Sequence, residues 1–239
     1  PEIISMENVP ELESEKVFAD FVSTLKELNY YVDWKIAYCP EYGVPQNRKR
    51  LVLLASRLGK IKLIPPLHDS KHYPTVRQAI GNLSALKDGE QDANDLLHRA
   101  CRLSSTNLKR IRQSTPGGTW RDWDEELQLE CHKKESGKTY PSVYGRMSWD
   151  EPSPTITTQF YGYGNGRFGH PEQDRALSLR EGAILQSFPP DYVFIDNDHP
   201  SNRREIGIHI GNAVPVELGR AIGISIQQHL QEVEENAAN

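Results

Sequence analysis

The sequence predicts an α/β protein in which the second half of a sheet leads into a smaller, loop-rich domain and then a long closing helix. Three observations carry this. Apolar residues in the first 56 positions fall into the order strand, helix, strand, turn, strand. After Ile64-Pro65-Pro66 the periodic segments become short and turn signals frequent. Near the end, Leu218, Ile222, Ile226 and Leu230 recur at four-residue steps behind Pro215, a helix with one apolar face.

Ile3-Ile4-Ser5-Met6 reads as a short buried strand with no earlier element, so the sequence is expected to start in the middle of a sheet. Glu7-Asn8-Val9-Pro10 follows at its carboxyl end. Ser14 is expected to cap a helix whose Phe18, Phe21, Val22, Leu25 and Leu28 recur at three- and four-residue steps. Val32, Trp34, Ile36 and Tyr38 then alternate with Asp33, Lys35 and Ala37 down to a Cys39-Pro40 turn. Leu51-Val52-Leu53-Leu54-Ala55, entered from Tyr42-Gly43-Val44-Pro45, reads as a buried strand. Ligands of such sheets sit outside the carboxyl ends of strands, where Glu7 stands. A period of two puts Gln46, Arg48 and Arg50 on one face. Two guanidinium forks and an amide suit a phosphate or a base edge, although the same residues also fit a solvated strand end.

In the loop-rich part, Val76, Ile80 and Leu83 predict one small helix. Ser104 or Ser105 can cap another containing Leu108 and Ile111. Thr115 to Arg121 forms a loop that sets Trp120 beside Arg121, either a base-contacting loop or a surface turn over a buried tryptophan. Thr155-Ile156-Thr157-Thr158 reads as a β-branched strand. Gly164 to Gly169 has the spacing of a dinucleotide fingerprint, but His170-Pro171 follows where a helix is needed, so it is not read as a cofactor loop. Ser178-Leu179-Arg180-Glu181 has capping-box spacing and opens a helix closed by Pro189-Pro190. The residues after Gln231 are expected to fray.

A chain of 239 residues, 37% hydrophobic, can bury one sizeable core or two small ones. No apolar run approaches the roughly 20 residues that span a bilayer, and no secretory leader is evident. Three cysteines argue for a reducing cytoplasm. The net charge of -5 is uneven: Gln46 to Lys62 and Arg99 to Arg121 each hold six Lys or Arg and no acid, as a strand-tracking groove requires. Cys39 is read as packing. Cys101 and Cys131, near His98 and His132, lack paired Cys-x-x-Cys spacing, and no metal site is assigned.

Four motifs occur together: Glu7-Asn8-Val9, Gln46-x-Arg48-x-Arg50, Arg180-Glu181 with Gln186-Ser187-Phe188-Pro189, and Gly211-Asn212-Ala213-Val214-Pro215. In order and approximate spacing they resemble the DNA cytosine-5 methyltransferase family. The resemblance implies the second half of a Rossmann-like S-adenosylmethionine-dependent methyltransferase sheet plus a smaller target-recognition domain. The implied division is residues 1–66 for the C-terminal half of the catalytic domain, 67–204 for target recognition, and 205–239 for the closing motif and helix. It further implies Glu7, Arg48 and Arg50 as catalytic residues, Gln46 as substrate-binding, and Asn212, Ala213 and Val214 as cofactor-binding; Arg121 is assigned to substrate binding from its loop, beside Trp120. By itself Glu7 also fits an exposed turn, and an Asn beside a Gly fits an ordinary turn. The cofactor implied is S-adenosyl-L-methionine and the substrate double-stranded DNA, whose target cytosine is flipped out of the stack. The family's glycine loop and Pro-Cys-Gln nucleophile segment, expected before Glu7, are not in this sequence. The chain is therefore expected to be inert without a polypeptide carrying them. A non-catalytic DNA-binding module and an RNA cytosine-5 methyltransferase are the alternatives.

Overall fold

A computed structural model describes residues 1–139, 141, 143–194 and 202–238. Its strands are β1 (Ile3–Asn8), β2 (Tyr31–Tyr38) and β3 (Lys49–Ser56). Its helices are α1 (Lys16–Glu27), α2 (Val76–Ile80), α3 (Ser105–Gln113), α4 (Glu130–Lys133), α5 (Glu135–Lys138), α6 (Leu179–Leu185), α7 (Arg203–Asn212) and α8 (Val216–Ala238). The chain forms two compact units, residues 1–73 with 214–239, and residues 74–213. Both junctions fall later than the expected divisions at 66/67 and 204/205.

The first unit is a three-layer sandwich. Its sheet has the order β1-β3-β2, with β3 antiparallel to both neighbours, so β1 and β2 run the same way and α1 is their crossover. The apolar run of β3 is continuous because both of its faces are covered. Leu51, Leu53 and Ala55 pack with Phe18, Val22 and Leu25 of α1, while Val52 and Leu54 pack with Leu218, Ala221 and Ile222 of α8.

Four expectations for this unit are corrected. Ser14 ends a 3-10 turn, Pro10–Ser14, and α1 starts behind Glu15 without a side-chain cap. Phe21 and Leu28 are exposed, because only the Phe18, Val22, Leu25 stripe reaches the sheet. In α8 the buried face runs Leu218, Ala221, Ile222, Ser225, His229, and Leu230 is exposed. Four-residue steps advance the helix by about 400°, so a strict four-residue stripe rotates off the contact within three steps. The helix also continues to Ala238 instead of fraying after Gln231. It is tied down by polar pins: Ser225 Oγ accepts from the Ile64 amide at 2.9 Å, and Ser56 Oγ lies 2.8 Å from His229 Nε2.

The second unit is built from short helices and loops around a core that includes Val76, Ile80, Met147, Ile156, Phe160, Leu177 and Ile206. Ser104 caps α3, and Ser178 with Glu181 forms the capping box of α6. That helix ends at Leu185, before Pro189, and Ser187 turns the chain at φ 61°. Leu83 lies beyond the end of α2. Thr155 to Thr158 is not a strand. Among the described residues this unit has only isolated bridges, so no ladder is offered to it, and Ile156 is buried singly in the core. No helix among the described residues is long and apolar enough to cross a membrane.

Candidate active site

Glu7 is the penultimate residue of β1. Alternation settles where it points: Met6 and Ile4 pack toward α1, so Glu7 lies on the α8 side of the sheet. Arg50, the second residue of β3, shares that side with Val52 and Leu54. Glu7 is opposite Val52 in the ladder, so Arg50 is its diagonal neighbour, within reach of a long side chain. Arg50 Nε lies 2.7 Å from Glu7 Oε1, with both side chains mostly buried. The contact is an ion pair.

Behind this pair stand Arg48 and Gln46, both buried, with Arg48 Nη1 donating to Gln46 Oε1 at 3.3 Å. Their segment is held by tight turns. Gly43, at φ 88°, closes the 3-10 turn Cys39–Tyr42; the Gln46 amide donates to the Val44 carbonyl and the Arg48 amide to the Gln46 carbonyl, each at 2.8 Å. The Cys39 amide donates to the Arg48 carbonyl at 2.8 Å. A left-handed backbone at Gly43 is what permits the sharp exit.

The electrostatics follow from burial. Desolvation raises the Glu7 carboxyl above its ordinary value, and the charges of Arg50 and Arg48 oppose this without cancelling it. Burial, with the charge of Arg50 next, lowers Arg48 to about 10. Burial pushes the Cys39 thiol up to about 12, so it stays protonated and packs, as expected of it. The arrangement is a carboxyl that holds its proton more tightly than a free glutamate, beside cationic donors. Sequence reasoning missed a flank to this group: the Tyr38 hydroxyl donates to Asn47 Oδ1 and its ring meets Tyr73 edge-on, with centroids 5.5 Å apart.

The structure thus brings together Glu7, Gln46, Arg48 and Arg50 in the first unit. Arg121 lies in the second unit, exposed, in a 3-10 turn (Trp120–Asp122) with its guanidinium 5.6 Å from the Trp120 ring. Trp120 is buried and stacked on His132, so the tryptophan belongs to the packing of this turn. Asn212 closes α7 and is exposed; Ala213 ends the second unit and Val214, also exposed, begins the return to the first. Among the described residues no group of histidine, cysteine and acid side chains could hold a metal ion.

Residues 1–228 match the C-5 cytosine-specific DNA methylase family. The chain belongs to that family. The family's methyl donor is S-adenosyl-L-methionine. The chain is 54% identical over 238 residues to the Type II methylase M.HgiDII of Herpetosiphon aurantiacus, covering 98% of this chain and 67% of that protein. It is 32% identical to the Type II methyltransferase M1.BsuMI of Bacillus subtilis, of which it spans about half (51%). Among solved structures, an Escherichia coli prophage-encoded protein named as a DNA modification methyltransferase shares the fold. It has a TM-score of 0.68 at 17% identity, over 97% of this chain and 70% of that one.

Proposed function

We propose that this chain is the C-terminal portion of a DNA cytosine-5 methyltransferase and forms the wall of the active site that holds the flipped target base. The observation that carries the proposal is Glu7, a mostly buried carboxyl whose proton affinity is raised although two arginines stand beside it. Methylation at carbon 5 begins with a thiolate adding to carbon 6, which makes the ring nucleophilic. Glu7, protonated or sharing a proton, hydrogen-bonds ring nitrogen 3 and the exocyclic amine and stabilises the adduct. Arg50, fixed against Glu7, offers its remaining donors to the ring oxygen. Arg48 and Gln46 hold each other and keep Arg50 and the 43–48 turn in place.

S-adenosyl-L-methionine, when bound, supplies the electrophilic methyl group. An exposed amide at Asn212 and an exposed branched side chain at Val214 suit a ligand with a polar amino-acid end and an apolar body, and Ala213 between them leaves room for it. The thiolate is proposed to come from another polypeptide segment. Cys39, the cysteine that senses Glu7 and both arginines, is sealed in the core with its thiol raised to about 12. The second unit is proposed to recognise double-stranded DNA, with Arg121 on its contact surface, in a Type II restriction-modification setting in the cytoplasm.

The test is to incubate the purified chain with labelled S-adenosyl-L-methionine and cytosine-containing duplex DNA, with and without a polypeptide carrying the Pro-Cys-Gln and glycine-loop segments. Methyl transfer is expected only with the added polypeptide. Transfer by the chain alone would overturn this reading, because one of Cys39, Cys101 or Cys131 would have to be the nucleophile.

A further inference from the structure

The end of α7 is held in an unusual way. The last carbonyls of a helix lack intrahelical partners and need donors from elsewhere. In α7 one comes from its own chain, the Ala213 amide on the Ile210 carbonyl at 3.3 Å. Another comes from far back in the sequence: Gln186 Nε2 donates to the Ile210 carbonyl at 2.8 Å and approaches the Gly211 carbonyl at 3.4 Å. Gln186 is completely buried at the end of α6, and the left-handed Ser187 turns the chain away immediately after it.

Two glycines one turn apart seat α7 against its neighbours. A Cβ on Gly207 would lie 2.3 Å from Tyr161 Cε1, and one on Gly211 would lie 2.5 to 2.6 Å from backbone atoms of Thr157 and Thr158. The Thr157–Thr158 backbone against Gly211 and the Gln186 amide on the last carbonyls both hold this helix end. Asn212, the next residue, is exposed.

We infer that Gln186 is a positioning residue for the cofactor-facing segment: its buried amide caps α7 and sets where Asn212 and Ala213 stand. The inference rests on the proposed cofactor role of that segment. The group has to be a neutral donor. A carboxylate in its place would face carbonyl oxygens, and a thioether of equal length would take away the shorter of the two hydrogen bonds at the Ile210 carbonyl.

Gln186→Met keeps the volume and removes the donor. In the assembly that transfers methyl groups, it should raise KM for S-adenosyl-L-methionine roughly tenfold, the loss of about one buried hydrogen bond, with kcat and KM for DNA within about twofold. Amide hydrogen exchange at Asn212 and Ala213, measured on this chain, should accelerate. Gln186→Asn, a shorter amide, should fall between. Ile156→Val, a core truncation in the same unit, should lower Tm without moving the cofactor KM. Asn212→Ala separates the two ideas. If Asn212→Ala raises the cofactor KM and Gln186→Met does not, the positioning role is overturned while the segment's cofactor role stands. If neither moves it, that cofactor role fails as well. Equal rises in KM for cofactor and DNA would also overturn the inference, as would a Gln186→Met protein too unstable to fold combined with an unaltered cofactor KM in Gln186→Asn.

Discussion

Arg50 sets its Nε 2.7 Å from Oε1 of Glu7, and the Glu7 carboxyl is still harder to ionise than a free glutamate. Desolvation at the end of β1 therefore outweighs the neighbouring cations. The folded carboxyl binds its proton at higher pH than the unfolded one, whose ordinary value is 4.5. The stability it contributes is fully present below 4.5 and is lost as pH rises through the raised value. Glu7→Gln cannot ionise. Its urea stability should gain on the parent as pH rises above 4.5, and in the assembly that transfers methyl groups its methyl transfer should fall about 100-fold or more with DNA binding nearly unchanged. Equal losses in both would remove Glu7 from the chemistry.

Arg50→Met removes the larger of the two opposing charges at Glu7. The Glu7 titration midpoint, followed by carbon-13 NMR, should move further up, and in the assembly that transfers methyl groups the covalent adduct yield with a mechanism-based cytosine analogue should drop. An unmoved midpoint would mean that the ion pair is not formed in solution.

In the second unit, Arg175 is wholly buried and donates to both oxygens of Glu181, at 2.8 and 2.7 Å. Burial is the largest single influence on Glu181 and raises it, but the hydrogen bonds and charge of Arg175, together with the carboxylate's other partners such as the Ser178 amide, hold the carboxyl below its ordinary value. Its stabilising contribution is present above 4.5 and lost as pH falls. His170 acts in the same direction. Burial lowers it to about 4, and its Nδ1 accepts from the Glu172 and Gln173 amides, so it is neutral in the fold and must be charged on unfolding in acid. Stability should decline as pH falls from 6.5 toward 4 and more steeply below 4.5, seen as Tm against pH, with His170→Gln flattening the upper part. Arg175→Met should cost about 3 to 5 kcal/mol by leaving a buried carboxylate unpaired.

Gly211→Ala would press a methyl group into the Thr157–Thr158 backbone, and about 1 to 3 kcal/mol of destabilisation is expected. Gly219→Ala in α8 meets nothing within 4 Å and should stabilise by about 0.5 to 1 kcal/mol. Chemical denaturation of the two variants checks the sign of each.

Arg121→Ala should relax discrimination at one base pair by about 1 to 3 kcal/mol in competition binding. A uniform loss across sequences, with the salt slope lower by about one, would make Arg121 a phosphate contact instead.

Much of the first unit was legible because its elements follow simple periods. Leu51 to Ala55 could only be a strand covered on both faces, and the period of two placed Glu7 and Arg50 on one side once their ladder register was known. The register itself was not in the sequence, since it depends on long-range pairing. Nor was the face of α8 beyond Ile222, because Ser225 and His229 are polar and are buried for the hydrogen bonds they make with Ile64 and Ser56. The second unit was harder. Arg175 and His170 look like surface residues until their partners are seen, and Thr155 to Thr158 has strand composition without a strand to pair with among the described residues.

The way α8 completes the first unit has a consequence for how the protein is made. Ser56 and His229, which join β3 to the last helix, are 173 residues apart in the chain. Residues 74–213 must be synthesised before α8 exists, which at ordinary translation rates takes on the order of ten seconds. Throughout that interval Ala37, Val52 and Leu54 have no helix over them, and the side of the sheet that carries Glu7 and Arg50 is open to whatever meets the nascent chain. A premature stop anywhere before Val216 would leave that apolar face permanently bare, so such truncated products should be clients for chaperones and proteases even when every residue of the Glu7 group is present.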